Sequence, residues 1–318
     1  MSDDGVHAVV VSYNTRDATL RCLEALAASS DPALYVTVVD NASRDGSPDA
    51  IANQHPSVEV IRLTSNVGYG RAVNKAWAMR PTTYLLILNS DCFVMPETMG
   101  SCRMFLDTHP DVVAVACQLR APDGEVQRSC RAFPTVGGEL ARVVLPHRLL
   151  ARLPGVGHYY LGGWRHDSNR PVDQPAGAFL LVRGSAIDGL PFDPRFFMYY
   201  EDVDLCRRLW HQGPIWYLAS TFAVHLAEHS SSQARAPMAV ALARSRFDYF
   251  EKWHGRRTAR LVSMIGALAS LLRASAWTIG GIPPAGRSAA LPRARAHLAG
   301  ARAGLAAATR GRTGPASS

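Results

Sequence analysis

The chain has 318 residues, 47% hydrophobic and 19% charged, with 34 Lys and Arg against 26 Asp and Glu, a formal net charge of +8. That composition fills an apolar core and excludes wholesale disorder, and the length suits one large α/β domain with an appendage or two modest domains. The positive balance points to anionic partners, nucleoside diphosphates or acidic lipid surfaces. No helix-turn-helix, zinc-finger or aromatic RNA-binding pattern accompanies it, so no nucleic acid partner is expected.

Val6 to Ser12 reads as a buried strand, and Asn14 or Thr15 can cap the helix that follows, with Leu20, Leu23 and Leu26 on its apolar face. Tyr35 to Asp40 is a second strand. A polar loop, Asn41 to Ser47, leads to a helix with Ser47 as cap and Pro48 at its first position. Val58 to Leu63 is a third strand, Gly68 to Met79 a helix and Tyr84 to Leu88 a fourth strand. A helix over Pro96 to Pro110 and a strand over Val112 to Gln118 follow. Residues 120–175 read as loops and short elements, and Gly177 to Arg183 as a strand. Asp202 to Gln212 is a helix and Ile215 to Ala219 a strand. Strands alternating with helices imply a mostly parallel, Rossmann-like α/β sheet whose ligands sit at the carboxyl ends of the strands, where Tyr13, Asp40 and Asp91 fall.

Beyond Ala234 the pattern is helical, over Ala236 to Trp253 and Arg257 to Trp277, with Arg and Lys on polar positions. Two readings stand for this 234–282 extension: a helix lying on an anionic bilayer, or one packed on the catalytic domain or on a second copy in a homo-oligomer. Residues 283–318, rich in Ala, Arg, Gly and Pro, read as a mobile tail, or as weakly helical between Leu291 and Thr309. The body, 1–233, divides into a nucleotide half, 1–118, and an acceptor half, 119–233.

None of the six cysteines forms a C-x-x-C pair, so zinc is not expected, and reduced thiols in the cytoplasm are the simplest reading. The N-terminus has no signal-peptide profile. The longest apolar run, Leu261 to Leu272, is bracketed by Arg260 and Arg273 and is too short to span a membrane.

Two clusters bear the chemistry. Leu85-Leu86-Ile87-Leu88-Asn89-Ser90-Asp91 is an apolar strand stopping on an acid. Phe196-Phe197-Met198-Tyr199-Tyr200-Glu201-Asp202-Val203-Asp204 is an aromatic run stopping on three. A carboxylate at a strand end can hold a divalent cation, and a second can act as general base, which suits transfer from a phosphorylated donor to a hydroxyl. Glu201, Asp202 and Asp204 could equally be first-turn acids favoured by the helix dipole, and Asp204 is read as pairing with Arg208 one turn on.

Five segments occur in order: Val10-Val11-Ser12-Tyr13-Asn14, Val39-Asp40-Asn41-Ala42-Ser43-Arg44-Asp45-Gly46-Ser47, Asn66-Val67-Gly68-Tyr69-Gly70-Arg71-Ala72-Val73-Asn74, Leu88-Asn89-Ser90-Asp91 and Tyr200-Glu201-Asp202-Val203-Asp204-Leu205. Together they resemble the inverting family 2 glycosyltransferases of GT-A fold over residues 5–232. The likeness is strongest to the rhamnosyltransferase branch, whose actinobacterial members add L-rhamnose to polyprenyl-diphosphate-linked N-acetylglucosamine. The resemblance implies a dTDP- or UDP-sugar donor, a lipid-linked sugar acceptor, Mg2+ or Mn2+, and a peripheral place on the inner face of the plasma membrane. It implies that Tyr13 packs on the base, between Ser12 and Asn14. Asp40 would accept the imino proton of uracil or thymine, beside Asn41; as a turn aspartate it would bond loop amides instead. Asn66, Gly68 and Arg71 would approach the nucleotide, although Arg71 also reads as an exposed helix arginine. Asn89 replaces the first acid of the family's Asp-x-Asp. With Ser90 it would face the ribose or a water, leaving Asp91 as metal ligand with His225, although a lone histidine reads equally as structural. Asp202 would be the base and Glu201 would orient it or the acceptor. By position, Trp164, Gly177 and Ala178 would contact the acceptor. The competing readings are a nucleotide-sugar-binding module without turnover, favoured by Asn89, and a transferase with a different donor and acceptor.

Overall fold

A computed structural model describes residues 3–30, 33–144, 159, 161, 163–226, 235–279 and 287–309. The chain forms two compact units: Met1–Phe133 with Gly163–Phe197 and Glu201–Ser230, and Pro134–Gly162 with Met198–Tyr200 and Ser231–Ser318.

The first unit is built on β1 (Asp3–Ser12), β2 (Leu34–Asp40), β3 (Glu59–Arg62) and β4 (Thr82–Asn89), all parallel, with α1 (Arg16–Ala27), α2 (Ser47–Gln54) and α3 (Tyr69–Met79) between them. Val6, Ala8, Val9 and Val10 and the run Leu85–Leu88 are all fully buried, on both faces, as parallel strands covered on both sides must be. Each such aliphatic side chain contributes about 1.5–3 kcal/mol. Next come β5 (Cys92–Val94), α4 (Thr98–Thr108), β6 (Ala114–Arg120), β7 (Cys130–Arg131), β8 (Arg170–Pro171), β9 (Gln174–Pro175), β10 (Phe179–Arg183), α6 (Glu201–Leu209) and β11 (Ile215–His225). The sheet order is β3-β2-β1-β4-β10-β6-β11-β5, with β8 on β11. β10 runs against both its neighbours, so its first residue, Phe179, meets the carboxyl end of β4 at Leu88.

The second unit packs α5 (Val136–Val144) on α8 (Arg256–Ile279), and α7 (Arg235–His254), α8 and α9 (Arg287–Thr309) on one another. Arg246 of α7 pairs with Glu139 of α5 at 3.4 Å, Ser245 Oγ donates to the Met198 carbonyl at 2.8 Å, and Tyr200 packs on Tyr249.

Several expectations are corrected. Of the two readings of the tail the helical one holds, beginning four residues earlier than expected: Arg287–Thr309 is a helix packed on α7 and α8 through small residues such as Ala294 and Ala301, which let helices approach closely. The body does not close at residue 233, because 134–162 and 198–200 group with the helices. Ser47 is inside α2: Gly46, at φ 77°, precedes it, and Asp45 Oδ1 accepts the Ser47 N–H at 3.0 Å. Thr15 stands at the α1 cap position without capping it; its hydroxyl meets Thr19 and Ser90. β11 runs on to His225. All six cysteines are buried and free, and among the described residues no helix is long and apolar enough to cross a membrane.

Candidate active site

β1, β2 and β4 end at one rim, with Ser12 opposite Asp40 and Val11 opposite Asn89. Asp40 Oδ2 accepts the Ser43 N–H at 3.1 Å, while Oδ1 is buried and has no partner among the described residues. The loops around it are sewn together: Asn14 N–H donates to Ser43 Oγ at 3.0 Å, Arg44 N–H to Asn14 Oδ1 at 2.8 Å, and Arg16 N–H to Asp45 Oδ2 at 2.9 Å. Asn14 and Ala42 take positive φ to allow this. Tyr13 is left 40% exposed above Asp40's strand end.

At the same rim, antiparallel pairing of β5 with β11 sets His225 opposite Cys92, and the Leu226 N–H donates to the Asp91 carbonyl at 3.1 Å. His225 Nε2 then stands 3.4 Å from Asp91 Oδ1. Gln127 holds the ring: its Nε2 donates to the His225 carbonyl at 2.7 Å, and its Oε1 accepts from Nδ1 at 3.0 Å. That orients the ring with Nδ1 toward Gln127 and Nε2 toward Asp91 Oδ1, so the imidazole and the carboxylate face each other as a pair that could share a divalent cation. One carboxylate and one imidazole would suit Mg2+ or Mn2+ if substrate phosphates and water supplied the remaining ligands. Among the described residues no cluster of three His, Cys, Asp or Glu forms a self-sufficient metal cage.

The second acidic cluster reaches this rim through β10. The Asn89 N–H donates to the Ala178 carbonyl at 3.0 Å, and the next amide back, Gly177 N–H, donates to Asp202 Oδ2 at 3.3 Å. Asp202 Oδ1 accepts the Val203 N–H at 2.8 Å. Burial raises the pKa of Asp202, opposed by those two amides and by Arg131. Burial and then the Asp202 charge push Glu201 from its usual 4.5 up to about 8, and its Oε2 is buried with no partner among the described residues. Two adjacent buried carboxyls do not both ionise readily. The amides and Arg131 favour charge on Asp202, so Glu201 keeps the proton. Asp204 is structural as expected, paired with Arg208 at 3.1 Å.

Tyr69, the first residue of α3, was not singled out by its sequence. Its N–H donates to the Phe197 carbonyl at 3.1 Å and its ring meets Phe192 edge-on at 6.0 Å. Its phenol proton is held well above the ordinary value by burial first, then by the neighbouring carboxyls of Glu201 and Asp202 and, further down, of Asp91. One phenol thus senses both acidic clusters.

A family model described as glycosyl transferase family 2 matches residues 8–154. The N-acetylglucosaminyl-diphospho-decaprenol L-rhamnosyltransferase of Mycobacterium tuberculosis is 30% identical over 271 residues, spanning 79% of this chain and 85% of that protein. The chain belongs to glycosyl transferase family 2. It is an inverting glycosyltransferase. The rhamnosyltransferase WbbL of Escherichia coli K12 is 26% identical over 270 residues, 81% of this chain and 92% of its own. The solved structure of the mannosyltransferase PcManGT from Pyrobaculum calidifontis, in complex with GDP-Man and Mn2+, shares the GT-A fold: TM-score 0.53 at 18% identity, covering 97% of this chain and 87% of that one.

Within this glycosyltransferase several side chains expected to touch substrate also bond the frame around the rim. Ser12 and Ser90 belong to a buried hydroxyl network with Thr15 and Thr19. The Asn14 oxygen serves Arg44. Asn41 donates to Asn66 Oδ1 at 3.0 Å and accepts the Val67 N–H at 2.9 Å, while Asn66 Oδ1 also accepts the Gly68 N–H at 3.0 Å. Arg71 Nε donates to the Pro194 carbonyl at 2.7 Å. Gly68 makes its close approach to Phe197: a Cβ there would lie 2.2 Å from the Phe197 oxygen. Gly177 serves Asp202, and Ala178 is buried against Asn89. Trp164 packs on His166, Tyr217 and Arg170 and donates to Ser168 at 3.1 Å. Gln127 had no visible signal in the sequence. Glu228 and His229, beside the His225 motif, lie outside the described residues.

Proposed function

We propose that the enzyme transfers L-rhamnose from dTDP-rhamnose to a hydroxyl of a polyprenyl-diphosphate-linked N-acetylglucosamine in cell-wall or polysaccharide assembly. The observation that supports this chemistry is the hydrogen-bonded path from Asn89 through Ala178 and Gly177 to Asp202, which links the Asp202 carboxylate to the strand end that leads to Asp91. The choice of sugar and acceptor draws on the printed activity of the mycobacterial relative.

Asp202 takes the acceptor hydroxyl's proton as that oxygen bonds to the anomeric carbon. The bond from that carbon to the diphosphate oxygen breaks, its electron pair leaves with the nucleoside diphosphate, and the configuration inverts. A carboxylate with a raised pKa is the stronger base, and the proton on Glu201 leaves Asp202 as the anion. Asp91 and His225 would hold a divalent cation, which would stabilise negative charge on the departing diphosphate. The free Oδ1 of Asp40 suits the imino N–H of thymine or uracil, and the exposed Tyr13 ring suits the base face.

The acceptor's lipid is met at a membrane surface by α8. That helix carries Arg256, Arg257, Arg260 and Arg273 and no acid, and it exposes Leu261, Met264, Leu268 and Leu272 along one stripe. Apolar residues flanked by arginine fit an anionic bilayer at the inner face of the membrane. A panel of nucleotide sugars, scored by thermal protection with and without EDTA and by product formation on the lipid-linked acceptor, tests the whole reading. Metal-dependent protection and turnover with dTDP-rhamnose are expected; turnover only with another donor would overturn the sugar assignment.

A further inference from the structure

Two buried polar atoms near the base are without partners among the described residues: Tyr69 Oη, which brings a hydrogen to donate, and Glu201 Oε2. Such groups cost stability unless something satisfies them. Tyr69 is not free to turn away. Flanking glycines seat it: a Cβ at Gly68 would strike the Phe197 carbonyl, and one at Gly70 would lie 2.7 Å from Phe192 Cβ. Its amide is tied to Phe197 and its ring edge to Phe192. Its amide partner Phe197 lies four residues before Glu201 in the chain, and its hydroxyl feels the carboxyls of Glu201 and Asp202 and, more weakly, of Asp91; in the proposed reaction these flank the attacking hydroxyl and the diphosphate.

What lies between a diphosphate and an attacking hydroxyl is the transferred sugar. We infer that Tyr69 Oη and Glu201 Oε2 together form a clamp for one hydroxyl of the donor sugar. A sugar hydroxyl both donates and accepts, so it can satisfy both groups at once, and a site built to bond a hydroxyl discriminates strongly against a donor that lacks it. This inference rests on the glycosyl-transfer reading but not on which sugar is used.

Tyr69→Phe tests it, with Glu201→Gln alongside. Removing an unsatisfied buried hydroxyl should raise the melting temperature of the free enzyme, whereas a structural hydroxyl would lower it. Affinity for dTDP and UDP alone, by calorimetry, should stay within twofold. The kcat/KM for the preferred nucleotide sugar should fall at least tenfold. Against that donor's monodeoxy analogues, one analogue should be used equally by wild type and Tyr69→Phe, because the hydroxyl it lacks is the one clamped. Equal loss on every analogue, a raised acceptor KM with donor use unchanged, or no loss at all would overturn the clamp while leaving glycosyl transfer standing. A wild type idle with every nucleotide sugar would overturn the transfer reading and the clamp with it.

Discussion

Asp202→Asn separates the base from its scaffold. Asp202 accepts two backbone amides, from Val203 at 2.8 Å and from Gly177 at 3.3 Å. Asparagine keeps an oxygen for the closer amide and turns its NH2 toward the Gly177 N–H, losing one hydrogen bond at about 1 kcal/mol. Against this, the substitution removes the charge that helps hold Glu201 near pH 8. In the parent, Glu201 binds a proton more tightly folded than unfolded, so folding stability falls as pH rises from about 4.5 to about 8, by of order a few kcal/mol. Asp202→Asn should shallow that slope and leave stability at pH 7 within about 1 kcal/mol of the parent. Transfer should nonetheless drop about 10²–10⁴-fold, about 3–5 kcal/mol of barrier. Initial rates with labelled donor, donor affinity by calorimetry and thermal melts at several pH values give the three quantities. A variant that folds, binds donor and turns over within threefold of the parent would show that Asp202 is not the base.

Other outcomes follow from single contacts. Gln127→Leu leaves the His225 ring unheld and should weaken divalent-metal protection about 10–100-fold with little change in melting temperature; unchanged metal titration would remove Gln127 from the site. Gly68→Ala forces a Cβ onto a backbone at φ 89°, ψ 166°, costing about 1–3 kcal/mol and a comparable amount from collision with Phe197. Denaturant melts should show that loss, and an unchanged midpoint would contradict the packing. Asp40→Asn should weaken dTDP and UDP binding while sparing CDP, and parallel losses for all three would exclude base reading. Met264→Glu with Leu268→Glu should abolish flotation with anionic vesicles. Persistent flotation, or a change from dimer to monomer without any vesicle binding in the parent, would exclude the lipid surface.

The parallel sheet was legible because its strands are unbroken apolar runs, each followed by turn residues, and because its acids fall at strand ends. Asp91, His225 and Asp202 share chemistry that residue type alone suggests. The asparagines and serines are harder to read for a physical reason: an amide or hydroxyl that bonds a loop looks, in sequence, like one that bonds a ligand. Asn41 and Asn66 satisfy each other across 25 residues of chain, and no local pattern announces that pairing. Gln127 is invisible for the same reason, since its role exists only once β11 extends past its irregular register to His225. The helix Arg287–Thr309 was legible only as one of two readings, because alanine-rich stretches show little amphipathic contrast and their order comes from neighbours.

The absent side chains at Gly68 and Gly70 leave room for Phe197 and Phe192 to lie directly on the start of α3. Engineers who graft the sugar-recognising portion of one relative onto the base-recognising portion of another would cut the chain between these two places. Hybrids should therefore inherit both sides of that seam from the same parent, or a methyl group will pry the halves apart.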